Sequence, residues 1–268
     1  MTRLFTDQIS HIPETIDEYN QELKDKTGCG LVGLANHALG TEYETAFLAQ
    51  KRAAVVPVTV GEGIIQGFSK SVAAILEYMG FEILVTNSSD VKGIKEAYQK
   101  KADILLMADD DEFIALNLEE NKYVDNNWAT ARAYVNALEL MVGGLKDRTV
   151  VVQGLGPIGR EAVRALIEKE ARIKVYDVDE QKMIKLTEEV ESVEAVKNPE
   201  QELKHNKLIL EATPVDNTIQ EDYIDQKTYI SAPGVPLGVC KTAISSIEDR
   251  LIHDPLQLGV SLMAAGVL

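Results

Sequence analysis

Thr149-Val150-Val151-Val152-Gln153-Gly154-Leu155-Gly156-Pro157-Ile158-Gly159 decides the fold of this chain. An apolar, β-branched strand leads into Gly154, Gly156 and Gly159, a G-x-G-x-x-G. Pro157 stands where a first helical turn tolerates proline. An amphipathic helix continues through Ile158, Val163, Ala165, Leu166 and Ile167, and a second strand, Ile173-Lys174-Val175-Tyr176, ends in Asp177. Strand, glycine turn, helix, strand and acid in this order form a dinucleotide-binding unit. Gly154 allows the tight turn, Gly156 lets the backbone approach a pyrophosphate, and Gly159 lets the helix lie near the strand. The free N–H groups at the positive end of that helix attract phosphate. Asp177 lies 18 residues after Gly159, close to the spacing of a ribose-binding acid. A carboxylate there accepts from a 2′-hydroxyl and repels a 2′-phosphate, so the expected cofactor is NAD rather than NADP.

Composition sets the outer limits. A chain of 268 residues accommodates one or two domains, and a hydrophobic content of 45% is ample for packed cores. The net charge of −16 argues against nucleic acid as a partner and suits a cationic small molecule. No apolar run reaches membrane-spanning length, and the N-terminal residues lack the apolar core of a signal peptide. Cys29 and Cys240 belong to no C-x-x-C and to no zinc spacing, which fits free thiols in a reducing cytoplasm and no metal site.

Outward from the glycine turn, helices are predicted over 7–26 and 31–49, followed by a strand over 53–59, a helix over 69–78 and a strand over 81–86. A helix capped by Asp90 reaches about 100, a strand covers 103–107, an acidic loop 108–127, and a long helix 128–145. The expectation is therefore an α/β protein: a smaller N-terminal α/β domain with leading helices, residues 1–146, and a C-terminal Rossmann domain, residues 147–268. Strands at 149–153, 172–177, 207–212, 228–231 and 251–253 and a helix at 179–190 fill the second. Ligands of such sheets bind beyond the carboxyl ends of strands, so the site is expected in a cleft between the domains. The 128–145 helix either bridges domains or packs on a second copy, which leaves a homodimer open.

Strand ends supply the candidate residues. For the cofactor these are Gly154, Gly156, Pro157, Ile158 and Asp177, with Thr213, Pro214, Ala232 and Pro233 walling the ribose and nicotinamide. On the first domain Asp109 follows a strand directly and is the candidate to bind and orient a cationic substrate group. Asp110, Thr59, Phe68 and Asn127 are candidate substrate contacts. Asn126-Asn127 reads equally as a helix cap. Of His11, His37, His205 and His253, only His253 follows a strand, and it reads as structural or solvent-facing. No Ser/His/Asp or Cys/His set forms.

Several segments together resemble one family, the PylD dehydrogenases of pyrrolysine biosynthesis. They are Val56-Pro57-Val58-Thr59 with Gly61 to Phe68, Leu106-Met107-Ala108-Asp109-Asp110, the Gly154 turn, Glu211-Ala212-Thr213-Pro214, and Ser231-Ala232-Pro233-Gly234-Val235-Pro236. The resemblance runs from about Lys26 to the C-terminus. It implies helical N-terminal elements, a small α/β domain and a Rossmann domain, with NAD as hydride acceptor. It implies oxidation of the terminal amine of 3-methylornithyl-N6-lysine, hydrolysis of the imine with loss of ammonia, and closure of the aldehyde onto the α-amine. It also implies an N-terminal lid, residues 1 to about 25. Asp109 matches the first acid of the family's Met-Ala-Asp-Asp. Asp111 stands where the family carries a neutral residue and Val60 where it carries a small polar one. Two other readings remain at this point: another NAD-dependent amine, imine or hydroxy-acid dehydrogenase, and a non-catalytic NAD-binding protein.

Overall fold

The computed structural model describes residues 4–268, so the first three residues of the leader and lid readings lie outside it. The described residues divide into two compact units, one made of residues 4–25, 29–133 and 255–268, the other of 26–28 and 134–254. This differs from a boundary at 146/147 in two ways. The division falls inside the helix Asn126–Val142, and the C-terminal residues belong to the first unit. The helix Gln257–Gly266 explains the second difference. Residues 257–265 are all buried, so it is apolar nearly all round and shows no amphipathic period to read. It packs on the helices Leu31–Leu39 and Phe68–Met79 and on the first unit's last two strands. Gly259 permits a close approach there, since a Cβ would stand 2.6 Å from Thr130 Oγ1.

The first unit holds a five-stranded sheet. Strands β1 (Arg52–Val55), β2 (Glu82–Val85) and β3 (Ile104–Ala108) are parallel, as the β-α-β-α-β pattern requires. The expected acidic loop 108–127 is instead an antiparallel meander, β4 (Phe113–Asn117) and β5 (Lys122–Asp125), which extends the order to β2-β1-β3-β4-β5. Phe113, Ala115 and Asn117 point inward in strict alternation, and the acids flanking them mark the turns. The expected helix 7–26 is two helices, Thr6–Ile9 and Ile12–Thr27. The expected helix 31–49 ends at Leu39, because Gly40 takes the left-handed C-cap (φ +67°). The leading helices are docked: Ile9 and Ile12 are fully buried, and Ser71 Oγ donates to the Ile9 carbonyl at 2.8 Å. Burial of such side chains stabilises by about 1.5–3 kcal/mol each. The cap assignments also shift. Ser89 precedes the helix Asp90–Gln99, and Asp125 Oδ1, not the Asn126-Asn127 pair, accepts from the Trp128 N–H.

The second unit carries six parallel strands: β6 (Thr149–Gln153), β7 (Arg172–Tyr176), β8 (Val193–Ala195), β9 (Leu208–Glu211), β10 (Tyr229–Ser231) and β11 (Leu251–Ile252). Their spatial order, β8-β7-β6-β9-β10-β11, is the 3-2-1-4-5-6 order of the dinucleotide-binding fold. β8 and the helix Pro199–His205 are additions to the sequence reading; three residues with one buried valine leave no period to detect. The core gathers Val151, Ile209, Ile230, Val239, Ile247 and Leu251 on one cluster.

Tyr134 anchors its helix to this sheet. Its hydroxyl accepts from the Asp254 N–H at 2.8 Å and lies 2.9 Å from the Asp254 carboxylate, and its carbonyl accepts from Ser231 Oγ at 2.7 Å. Burial, then the Asp254 charge, raises the phenol well above its ordinary pKa, so it stays neutral. Tyr134→Phe removes the hydroxyl from this buried network and is expected to cost about 1–3 kcal/mol, read as a lower thermal midpoint. An unchanged midpoint would show that the network contributes nothing to stability.

Candidate functional site

In the second unit the strand order reverses between β6 and β9, the position where such sheets bind their ligands. The glycine turn lies there. Gly154 adopts φ +92°, and its N–H donates to the Tyr176 carbonyl at 2.8 Å. A Cβ on Gly154 would come within 2.7 Å of the Ala212 carbonyl oxygen, and one on Gly159 would overlap the Gly154 carbonyl oxygen. Chain packing therefore explains two of the three glycines. It does not explain Gly156, where a Cβ would meet nothing within 4 Å. Gly156 is the N-cap of the helix Pro157–Glu168, and no side chain caps that end. Pro157 has no N–H to give. The Ile158 and Gly159 N–H groups have no intrahelical acceptor, and the space beside Gly156 is open. Open backbone, uncapped donors and a positive helix end suit a pyrophosphate.

Asp177 stands at the end of β7, as its spacing requires, but its carboxylate is largely engaged. Oδ2 accepts from the Leu155 N–H at 2.6 Å, Oδ1 from the Asp179 N–H at 2.9 Å, and Lys182 Nζ lies 3.4 Å away. Burial, the largest influence, pushes its pKa up; the Asp179 and Leu155 donors and the Lys182 ammonium outweigh it and leave the group below its ordinary value. Asp177 thus fastens the glycine turn to β7, a task that spacing alone did not reveal.

Beyond β9 and β10 the chain makes two turns. Thr213 is half-buried and Pro214 exposed, while Ala232 and Pro233 are buried. The Ala232 carbonyl accepts from His253 Nδ1 at 2.8 Å. A carbonyl oxygen only accepts, so Nδ1 carries a hydrogen in this contact. His253 is half-buried at the end of β11, which agrees with the structural role the sequence offered for it. Glu211 ends β9 fully buried, and its Oε1 accepts from the Thr213 N–H at 2.8 Å and from the Thr213 hydroxyl.

In the first unit Thr59 and Phe68 follow β1, and Asp109 and Asp110 follow β3, the strand paired with it. Asp109 Oδ1 accepts from the Asp111 and Glu112 N–H groups at 2.9 and 2.8 Å. The Glu112 and then the Asp111 donors hold its pKa below the ordinary value against slight burial, so it is a carboxylate at neutral pH. Its Oδ2 has no partner among the described residues. Asp110 Oδ2 accepts from the Glu62 N–H at 2.7 Å and tethers the 57–67 loop to the hairpin turn. Asp90, which the sequence reading gave only a capping task, takes both the Thr59 N–H (2.8 Å) and the Thr59 hydroxyl (2.7 Å). Thr59 is therefore a committed loop anchor. Phe68 packs edge-on against Phe113, with ring centroids 5.3 Å apart. Asn127, in the first turn after β5, is carried to the same sheet edge because β5 runs parallel to β3. No group of His, Cys, Asp and Glu among the described residues could hold a metal ion, and no helix there is long and apolar enough to cross a membrane.

Strand order and glycine turn together define a dinucleotide-binding protein of the dehydrogenase type. The signature of the family described as "Pyrrolysine biosynthesis protein PylD, N-terminal domain" matches residues 8–124. Pyrrolysine synthase of Methanosarcina barkeri is 34% identical over 270 residues, covering 100% of this chain and 98% of that protein. Pyrrolysine synthase of Methanosarcina acetivorans is 32% identical over 269 residues, covering 100% of both. Quinate dehydrogenase from Corynebacterium glutamicum superposes with a TM-score of 0.54 at 11% identity, over 81% of this chain and 93% of that one. Shikimate dehydrogenase from Aquifex aeolicus gives 0.53 at 15%, over 81% and 91%. These two likenesses speak to the fold. The chain belongs to the PylD family of pyrrolysine synthases and is a nicotinamide-dinucleotide-dependent oxidoreductase of pyrrolysine biosynthesis.

The two kinds of glycine separate experimentally. Gly156→Ala is expected to change stability by no more than about 1 kcal/mol yet to weaken dinucleotide binding at least about tenfold, a loss of about 1.4 kcal/mol. Gly159→Ala is expected to lower the melting temperature as well. Equal effects of both on stability, with Gly156→Ala binding normally, would place the phosphates elsewhere.

Proposed function

We propose that this chain oxidises the terminal amine of 3-methylornithyl-N6-lysine with NAD and closes the product to pyrrolysine. The end-to-end similarity to pyrrolysine synthase of Methanosarcina barkeri carries this reading. Gly156, Pro157 and Ile158 would hold the pyrophosphate and Asp177 the adenosine ribose, with Thr213, Pro214, Ala232 and Pro233 alongside. The negative charge of Asp177 favours a 2′-hydroxyl over a 2′-phosphate. NAD supplies the hydride acceptor when bound.

The substrate's own chemistry sets what the protein must do. An ammonium holds its nitrogen lone pair in an N–H bond, so the terminal amine first loses a proton. That lone pair then forms the C=N bond as the adjacent carbon gives up a hydride. Water adds to the imine carbon and ammonia leaves, giving an aldehyde. The α-amine attacks the aldehyde carbon, water is lost, and the pyrroline ring closes. Both reacting groups belong to one molecule, so confinement alone supplies much of the rate of the last step. Asp109 is suited to hold a second ammonium of the substrate, because Oδ1 is fixed by two N–H donors while Oδ2 is left to accept. Thr59, Phe68, Asp110 and Asn127 would shape the same edge.

Incubation with 3-methylornithyl-N6-lysine and NAD is expected to yield pyrrolysine by mass spectrometry, one NADH appearing per product. NADH formation with simple amines or hydroxy acids but not with this substrate would refute the assignment. Asp109→Asn keeps the turn geometry and is expected to lower turnover at least about tenfold, or about 1.4 kcal/mol of transition-state stabilisation, with NAD affinity kept. Unchanged turnover removes Asp109 from the mechanism. Asp177→Asn is expected to weaken NAD binding and to narrow the preference over NADP; equal or tighter NADP binding by the unaltered chain would overturn the NAD assignment.

A further inference from the structure

We infer that Glu211 is a positioning residue of the dinucleotide seat: its buried, protonated carboxyl holds the Thr213 turn and the Gly234–Gly238 turn over the carboxyl ends of β9 and β10, and its ionisation loosens both. The geometry is specific. Glu211 is fully buried, one strand from the glycine turn, and pairs in register with Gln153 of β6. Its Oε1 is satisfied by the Thr213 N–H and hydroxyl, while Oε2 has no hydrogen-bond partner among the described residues. The Gly238 N–H faces the carboxyl without reaching good hydrogen-bond geometry. Two glycines make room for the group. A Cβ on Gly234 would stand 2.6 Å from Oε2, and one on Gly238 would stand 2.5 Å from Cδ. The Gly234 N–H donates to the Glu211 carbonyl at 3.1 Å. Both turns are therefore folded directly over this side chain.

A bare carboxylate is a poor post. An unpaired buried charge is far costlier than an unpaired neutral group. Gln153 Oε1, at the neighbouring register position, also lacks a donor among the described residues. Two acceptor oxygens without donors lie on adjacent strands, and a proton on Glu211 turns one of them into a donor. Burial agrees, raising the group to about 7 against the partial opposition of the Thr213 and Gly238 donors. The groups facing it are Gln153, Thr213, Thr218 and the Gly234 and Gly238 backbone, and no charged side chain adds to the shift.

The direction of the pH effect follows. The folded chain keeps this proton above the pKa of about 4.3 at which the unfolded chain releases it, so stability falls as pH rises from about 4.3 to about 7 and is level above that. The test is the melting temperature of the dinucleotide-free protein against pH, for wild type and Glu211→Gln, which carries a permanent neutral isostere. The gap between them is expected to widen in favour of Gln up to about pH 7 and then to hold steady. A gap independent of pH would overturn the inference. This arm needs no ligand, so it stands even if the NAD reading on which the second arm rests should fail.

The second arm titrates NADH by fluorescence. The wild-type Kd is expected to rise about fivefold from about pH 6 to about pH 8.5, with less than about a twofold change in Glu211→Gln. Glu211→Ala is expected to bind weakly at both, and Thr213→Val serves if that variant does not fold. Equal pH responses of wild type and Glu211→Gln, or normal binding by Glu211→Ala, would reduce Glu211 to filling space.

Discussion

The tight contact of the helix Pro157–Glu168 with the ends of β6 and β9 is the constraint on which the second unit turns. The helix can begin so close to the sheet only because no side chain separates Gly159 from the Gly154 carbonyl or Gly154 from Ala212. Asp177 then ties Leu155 to β7. The turn is thus held from both neighbouring strands, and the helix end it aims is left uncapped. Donors at that end are already oriented, so the phosphate proposed to bind there would find little ordering cost to meet.

The first unit works by a related economy. Its acids are largely spoken for by the backbone: Asp90 by Thr59, Asp110 by Glu62, one oxygen of Asp109 by its own turn. In a chain of net charge −16, carboxylates spent on N–H groups stiffen the loops from within. The second oxygen of Asp109 keeps no partner among the described residues and is fixed in place by the first.

Legibility followed the strength of local pattern. The glycine turn, β6, β7 and the helix between them were readable because a strand, special backbone positions and an amphipathic period occur together. The parallel strands β1 to β3 were readable from their alternation with helices. The β4–β5 meander was hidden by its acidic turns, although Phe113, Ala115 and Asn117 alternate as a half-buried strand should. The helix 257–266 was hidden because burial on every side removes the period. At the candidate site, residue types at strand ends pointed to Asp109 and Asp177 but not to what they hold. Those tasks depend on N–H groups such as those of Leu155 and Glu112, whose directions exist only once the chain is folded. Glu211 stood in a quoted motif, yet its burial is a property of the turns above it.

The C-terminal helix carries a consequence for how the protein is made. Residues 134–254 are nearly the whole of the second unit, so almost all of that unit is one continuous stretch of chain that needs nothing made after it. The first unit begins earlier but cannot finish until the helix filling its core has been made, and that helix follows the whole of the second unit in the chain. Until then its apolar interior waits without a cover, a vulnerability of proteins whose first-made part is last to close.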